Sequence, residues 1–85
     1  MRGTLTFRIH DTGGSLLRVL GVAVRRGYSL VRLNAVDGSA PDTMDVVLTV
    51  EGSRPPQRLV KQLERLFDVE NVELSGLTAA RRAVQ

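Results

Sequence analysis

The chain has 85 residues and a mass of 9.3 kDa, with 42% hydrophobic and 25% charged side chains and no cysteine. This length holds one small domain, which buries only about 60–65% of the surface that its unfolded chain exposes. The lack of cysteine excludes disulfides, thiolate metal sites and a cysteine nucleophile, so association with another chain is the remaining way to support so small a core.

Charge and hydropathy exclude further classes of protein. The 12 basic and 9 acidic residues give a net charge of +3, an excess that is weak evidence for nucleic-acid binding. No apolar run approaches the roughly 18 residues that a membrane span requires, and residues 1–10 alternate instead of forming a signal-peptide core. We therefore predict a cytoplasmic protein that binds neither nucleic acid nor membrane.

Few side chains suit catalysis or metal binding. His10 is the only histidine and ends an alternating segment, which favours a loop position beside a helix start over a metal ligand. Asp37, Asp42 and Asp45 flank a turn but lack the spacing of a calcium-binding loop. We predict no catalytic residue, no metal site and no cofactor in this chain, and an enzyme acting alone is not expected.

The first elements are a strand and a helix. Thr4–Ile9 alternates polar and apolar residues and predicts a strand that turns Leu5, Phe7 and Ile9 to the core. A helix is predicted over residues 14–26, and Arg25 and Arg26 at its end complement the helix dipole. Its apolar stripe comprises Leu16, Val19, Leu20, Ala23 and Val24.

A hairpin follows the first helix. Tyr28–Val36 alternates again and predicts a second strand, with residues 37–42 forming a turn rich in Asp, Gly and Pro. In that strand Leu30 and Arg32 are predicted to lie on one face, and the opposite face is predicted to carry Val31, Leu33 and Ala35. The third predicted strand places on one face Met44, Val46, Leu48 and Val50.

A second helix and a last strand complete the domain. Ser53 is a candidate N-cap before Pro55 and Pro56, which suit the first helical turn. The last strand is predicted over Asp68–Ser75, so the domain covers residues 1–76 and residues 77–85 form a short C-terminal tail. The apolar stripe of the second helix comprises Leu59, Val60, Leu63, Leu66 and Phe67.

The order of these elements is βαββαβ, and right-handed crossovers place strands one and three side by side. This predicts an α+β ferredoxin-like sandwich, whose antiparallel sheet has the strand order 4-1-3-2 and carries both helices on one face. The other face stays open, and we expect it to present Thr6, Arg8, Val47 and Thr49.

This topology serves several functions, so the residues have to discriminate between them. An RNA-recognition module needs aromatic side chains on the open face, whereas Phe7 is predicted to face the core. A soft-metal carrier needs cysteines. An acylphosphatase-like site needs an Arg and an Asn around a phosphate cradle, which this pattern does not supply. The Gly13-Gly14-Ser15 turn is suited to binding an anion or simply to starting a helix.

Three segments carry a resemblance to a known family. The first loop and helix contain Asp11-Thr12-Gly13-Gly14-Ser15-Leu16-Leu17-Arg18-Val19, and the step into strand two reads Arg25-Arg26-Gly27-Tyr28-Ser29-Leu30. The second helix ends in Lys61-Gln62-Leu63-Glu64-Arg65-Leu66-Phe67-Asp68-Val69. Together they resemble an ACT domain, and more closely the small subunits of acetolactate synthase, over about Thr4 to Leu74. The length is similar to that of the isozyme II type, which has a single ACT domain.

The resemblance implies a non-catalytic accessory subunit of acetolactate synthase, in branched-chain amino acid synthesis. Thiamine diphosphate, magnesium and FAD would belong to the large catalytic subunit, which is the implied partner. A homodimer joined through edge strands is also implied, and it would cover the exposed edge of a small sheet. The alternative within the family is a free-standing ACT sensor that binds a small amino acid at a dimer interface.

The family also implies an effector site, possessed by those members that bind a branched-chain amino acid. If the positions of those members are carried over to this chain, backbone amides around Gly14, Ser15 and Leu16 would bind the ligand carboxylate. These residues would face strand two of the other chain in the dimer. Asp11 and Ser29 stand where valine-sensitive members have Asn, so we expect a weak or absent valine response. Candidate contacts to the large subunit are Arg8, Arg18 and Arg25.

Overall fold

The computed structural model describes residues 1–10 and 14–78. They form one antiparallel sheet in the order β2-β3-β1-β4, which confirms the predicted ferredoxin-like fold. Helix α1 packs over β2 and β1, and helix α2 packs over β4 and β1. The elements in chain order are β1 (Arg2–His10), α1 (Ser15–Arg25), β2 (Ser29–Asp37), β3 (Thr43–Glu51), α2 (Pro56–Glu64) and β4 (Val69–Thr78).

The strand register divides the molecule into two ends. At the His10 end, His10 lies across from Thr43, and α1 begins nearby. At the opposite end, Glu51 of β3 lies across from both Arg2 and Ser29. Helix α1 ends and helix α2 begins there, beside Arg25, Arg26 and Arg54, so we call it the arginine end. A strand as long as β2 spans roughly 26 Å at about 3.3 Å per residue, so the two ends are well separated.

The core lies between the sheet and the two helices, as the alternation predicted. The apolar residues of β1 and β3 that face the helices are buried, Phe7 among them, except for Met44, which is half-buried. From the helices, Val19, Ala23, Leu59 and Leu63 are buried against this layer. Burial of such side chains stabilises the fold by about 1.5–3 kcal/mol each.

Two positions of the predicted helix stripes do not belong to the core. Val24 is 56% exposed and Phe67 is 84% exposed. Val24 lies in the last turn of α1, on the side away from Val19 and Ala23. Phe67 lies beyond the end of α2 at Glu64, so the helical spacing that assigned it to the core no longer applies.

Helix α2 begins without the predicted cap. Its N-cap position is Pro55 and its first residue is Pro56, and Ser53 makes no capping hydrogen bond. Proline suits this position because it lacks an N–H group that would otherwise need a partner. The Pro56 ring also packs closely on β1: a Cβ atom added to Gly3 would lie 2.8 Å from Pro56 Cγ.

A one-residue irregularity in β2 changes its predicted faces. Leu30 lies across from Val50, and after a register shift Leu33 lies across from Leu48. Because directly opposed residues share a face of the sheet, Leu30 and Leu33 are on the same side, and Val31 is the extra residue of a β-bulge. The predicted opposition of Leu30 to Leu33 is therefore wrong.

The open face of the sheet is polar and internally bonded. Thr4 and Thr49 share a hydrogen bond of 3.0 Å between their hydroxyl oxygens, and Arg8 Nε donates to Asp45 Oδ1 at 3.0 Å. Thr6 and Val47 lie between these pairs, which confirms the predicted composition of this face. None of these half-buried positions is aromatic.

The last strand is longer than predicted. Strand β4 continues past Ser75 to Thr78, which pairs with Arg2. The rest of the predicted tail, residues 79–85, lies outside the described residues. Within the described ranges, no helix is long and apolar enough to cross a membrane.

Candidate functional site

The structure brings together part of the predicted effector site. Gly14, Ser15 and Leu16 lie at the start of α1, at the His10 end of the molecule. Asp11 lies outside the described residues. Ser29 is exposed at the start of β2, at the opposite end of the same chain. Within one chain, therefore, Ser29 does not meet the start of α1.

Gly14 sets the backbone geometry at the start of α1. Its φ of 85° and ψ of 2° are left-handed, a conformation that favours glycine, and its carbonyl accepts a hydrogen bond from the Arg18 amide at 2.9 Å. No side chain caps the helix, and its first turn contains no acidic residue. The first turn therefore brings no side-chain cap and no acidic residue of its own to the positive end of the helix dipole, an arrangement that suits an anionic ligand group.

Ser15 joins this helix start to the end of β1. Its side chain is buried, and its hydroxyl donates to the His10 carbonyl at 2.9 Å. Leu16 is half-buried against the core. The side chains of both residues are thus engaged within the protein, so their contribution to an effector site would come from their backbone amides.

A buried ion pair lies next to this helix start. Asp68, only 1% exposed, accepts a hydrogen bond at Oδ2 from Arg18 Nη1. The Arg18 guanidinium also lies over the Phe67 ring, 5.6 Å from its centroid. The ion pair fixes α1 to the turn before β4, and it occupies Arg18, which the sequence had offered as a contact to a large subunit.

The environment of Asp68 keeps it charged. Burial raises the pKa of the Asp68 carboxyl, but its hydrogen bonds and the positive charge of Arg18 outweigh this effect and leave the pKa below its ordinary value. The carboxylate is therefore ionised at neutral pH. Loss of Arg18 would leave a buried negative charge without its cation, which is costly.

A histidine and a glutamate lie close together at the same end. His10 Nε2 and Glu70 Oε1 are 2.6 Å apart, and both side chains are about half exposed. His10 is thus a cross-strand partner of β4, and its backbone amide donates to the Asp68 carbonyl at 2.9 Å. No cluster of three or more His, Cys, Asp or Glu residues that could hold a metal ion occurs among residues 1–10 and 14–78.

Sequence reasoning missed Asp68 and Glu70. Asp68 belongs to a motif that carried the family resemblance, yet its role depends on a contact with a residue 50 positions earlier in the chain. A lone acidic residue between apolar positions, as in Phe67-Asp68-Val69, is the signal that could have drawn attention to it.

The outer edge of the sheet carries several exposed apolar side chains. Strand β2 lies at the edge, and all its residues except Ala35 are exposed. On the adjoining helix α1, Leu17 is 74% exposed. The exposed large apolar side chains of β2 and α1 are Leu17, Val24, Leu30, Val31, Leu33 and Val36.

Comparison with known proteins gives one match of the sequence to a family model and two matches of the fold to solved structures. A family model described as the ACT domain matches residues 11–72. An acetolactate synthase small subunit from Thermotoga maritima aligns with a TM-score of 0.75 and 20% identity, covering 87% of this chain and 47% of that one. The chain therefore spans about half the length of that subunit. The ACT domain from GTP pyrophosphokinase of Chlorobium tepidum aligns with a TM-score of 0.71 and 13% identity, covering 88% and 97%.

Proposed function

Because the chain belongs to the ACT domain family, we propose that it is a non-catalytic accessory subunit of a thiamine-diphosphate-dependent acetolactate synthase, of the isozyme II type. In this proposal the thiamine diphosphate, magnesium and FAD belong to the large catalytic subunit. The fold likeness to an acetolactate synthase small subunit supports the proposal. So does the ion pair between Arg18 and Asp68, because it joins two of the motif segments on which the family resemblance rests.

The observation that carries the proposal is the apolar edge formed by β2 and α1. An exposed edge strand offers unpaired backbone groups to another chain, and soluble proteins rarely leave such an edge apolar and uncovered. Leu33 and Val36 of β2 and Leu17 of α1 are exposed there. A second copy of the chain, paired through β2, would extend the sheet and cover these side chains.

Such a dimer would also complete the effector site. Two β2 strands related by a two-fold axis run antiparallel, so the start of one strand lies beside the end of the other. Ser29 of one chain would then approach the His10 end of its partner, where Gly14 begins α1. This arrangement supports the dimer, because a single chain keeps these residues at opposite ends.

The dimer is tested by Leu33→Lys, which places a charge on the apolar edge. Sedimentation equilibrium is expected to show a dimer for the wild type and a monomer for the variant. Gln57→Lys, which adds the same charge at an exposed position of α2, is the control and should remain dimeric. A monomeric wild type, or a dimeric Leu33→Lys variant, would contradict the proposed interface.

The catalytic partnership is tested by mixing the chain with the cognate large subunit. We expect one complex that contains both chains in size-exclusion chromatography, with the amount of bound chain saturating as its concentration rises. Separate elution of the two chains at concentrations well above their physiological level would argue against the accessory role.

The valine response is proposed to be weak or absent because of the residues at positions 11 and 29. Asparagine at both positions would restore the amide groups of valine-sensitive members and remove the negative charge of Asp11. Calorimetry is expected to show little heat with valine for the wild type and measurable binding for an Asp11→Asn, Ser29→Asn double variant. Strong valine binding by the wild type would contradict this part of the proposal.

A second candidate, a free-standing amino-acid sensor, is favoured by the uncapped start of α1 at Gly14. It predicts binding of valine, leucine or isoleucine to the isolated chain, together with no complex with the large subunit. The size-exclusion and calorimetric measurements together therefore separate the two functions.

A further inference from the structure

Five arginines line a groove that begins at the arginine end of the molecule and continues along α2. Arg25 and Arg26 end α1, and Arg54 precedes α2, which carries Arg58. Arg65 follows the last residue of α2. One part of the groove has a volume of about 420 Å³ between Arg25 and Arg54, and a second part of about 370 Å³ lies between α1 and α2 beside Arg65. Arg26 borders both parts and also a narrow cleft beside Arg58.

No carboxylate neutralises these arginines among the described residues. Three of the four described arginines outside the groove have acidic partners: Arg2 pairs with Glu51, Arg8 with Asp45 and Arg18 with Asp68, whereas Arg32 of β2 forms no ion pair within the described residues. Arg26 Nη2 instead donates to the neutral Gln62 Oε1 at 2.9 Å. The groove therefore concentrates positive charge that the chain itself leaves unbalanced, although the net charge of the chain is only +3.

The groove has a rigid and partly apolar floor. Tyr28 is buried, and its hydroxyl donates to the Pro55 carbonyl at 2.7 Å. Burial raises the pKa of Tyr28, while the nearby positive charges of Arg58 and Arg54 act in the opposite direction. These two guanidinium groups thus lie close enough to the phenol to influence it. Tyr28 thus provides an aromatic ring, held by a hydrogen bond, beneath Arg26, Arg54 and Arg58.

From this groove we infer the surface by which the chain holds its catalytic partner: it binds an acidic segment of that subunit. The inference rests on the proposed accessory function. Guanidinium groups bind carboxylates through two parallel hydrogen bonds, and five of them in one groove match a run of Asp and Glu side chains. The half-buried Leu66 and Val22 would contact the apolar parts of the segment.

The shape of the groove favours an extended segment over a small anion. Helix α2 has 9 residues and is about 13 Å long, and the arginines are distributed from its start to beyond its end. A single phosphate or carboxylate group would contact only part of this set, whereas about four extended residues span the distance. Tyr28 is the one aromatic side chain that lines the groove, and it is buried. No ring is therefore exposed there for bases to stack on, which argues against a single-stranded nucleic acid as the occupant.

The test compares two double variants that remove the same charge. Arg54→Gln with Arg58→Gln weakens the groove, and Arg2→Gln with Arg8→Gln removes two arginines from the open face of the sheet. The Kd for the cognate large subunit is measured at low and high salt, and circular dichroism verifies that each variant is folded. We expect the groove variant to bind roughly tenfold more weakly and with less salt dependence, and the control to bind within about twofold of the wild type.

The outcomes separate the inference from the function on which it rests. A wild-type chain that does not bind the large subunit overturns the accessory function. Binding of the wild type with equal losses in both double variants, or with none, overturns only the groove assignment. Binding of inorganic pyrophosphate to the wild type that is lost in the Arg54 and Arg58 variant but leaves the Kd for the large subunit unchanged would also overturn it, by identifying a small-anion site apart from the subunit contact.

Discussion

The charged side chains at the His10 end and the arginines of the groove differ in whether they have a partner within the described chain. At the His10 end, Arg18 is bonded to the buried Asp68, and His10 faces Glu70. At the arginine end, Arg54 and Arg58 have no acidic partner among the described residues. Charges paired within the chain hold its elements together, whereas charges left without a partner on a rigid surface are free to attract another molecule. The difference separates residues that support the fold from residues suited to recognition.

The sharpest test of this difference substitutes one arginine at each end. Arg18→Met would leave the buried Asp68 without its cation and is expected to lower the free energy of unfolding by about 2 kcal/mol. Arg25→Met removes the same group from the groove and should change it by less than about 0.5 kcal/mol. Urea denaturation measures both values. Equal losses would contradict the division into a structural end and a recognition end.

The same ion pair predicts how stability depends on pH. The pKa of Asp68 is lower in the folded chain than the unfolded value of about 3.9, so the folded state binds fewer protons in the acid range. Its contribution is therefore complete well above pH 4 and is lost as the pH falls through about 4 towards the folded pKa.

This contribution is measured by comparing Asp68→Asn with the wild type from pH 7 to pH 3. The variant should be less stable at pH 7 and should lose less stability on acidification. Glu51 also has a lowered pKa because of its hydrogen bond with Arg2, but it is exposed, so Glu51→Gln should alter the acid dependence less. An unchanged acid dependence in Asp68→Asn would refute the assigned role of the buried carboxylate.

Substitution of the glycines that flank α1 is expected to cause a smaller loss of stability, of similar size at both ends of the helix. Gly14 and Gly27 have φ values of 85° and 92°, and an added Cβ at either would meet no atom within 4 Å. Alanine at either position is expected to cost about 1 kcal/mol through backbone strain alone, with asparagine costing less. Gly21 inside α1 is the control, because alanine there should be neutral or stabilising. Thermal unfolding of the three alanine variants is expected to show a lower Tm for the substitutions at Gly14 and Gly27 and an equal or higher Tm for the substitution at Gly21.

The smallest effect is expected at Phe67. Because this ring is 84% exposed and lies over the Arg18 guanidinium, Phe67→Ala should cost only about 0.5–1 kcal/mol. A core phenylalanine, as the helical spacing predicted, would cost about 3–5 kcal/mol. Chemical denaturation distinguishes these values, and a loss of about 3–5 kcal/mol would contradict the exposed position of Phe67.

The fold could be predicted almost completely from local patterns. Alternation in β1 and β3, helical spacing around Val19 and Leu63, and turn residues between them are properties of neighbouring positions, and each was confirmed. The errors arose where a pattern was broken by something local spacing does not show. A bulge at Val31 placed Leu30 on the same face as Leu33, and the end of α2 at Glu64 left Phe67 outside the core.

The candidate site was less accessible to the sequence, because its contacts join distant positions. Arg18 was assigned to a possible partner surface, yet it pairs with Asp68 across the fold. Arg25 and Arg26 were explained by the helix dipole, and only the structure places Arg54 and Arg58 along the same groove. The effector residues Gly14, Ser15, Leu16 and Ser29, together with Asp11, stay predictions.

The central claim is that the chain acts through a catalytic partner. It is tested most directly by measuring acetolactate formation by the cognate large subunit, supplied with thiamine diphosphate, magnesium and FAD, as increasing amounts of the chain are added. The account predicts a rate that rises and saturates, with the Arg54→Gln, Arg58→Gln variant requiring more protein to reach saturation. A rate that stays at the level of the large subunit alone, at every concentration of the chain, would contradict it.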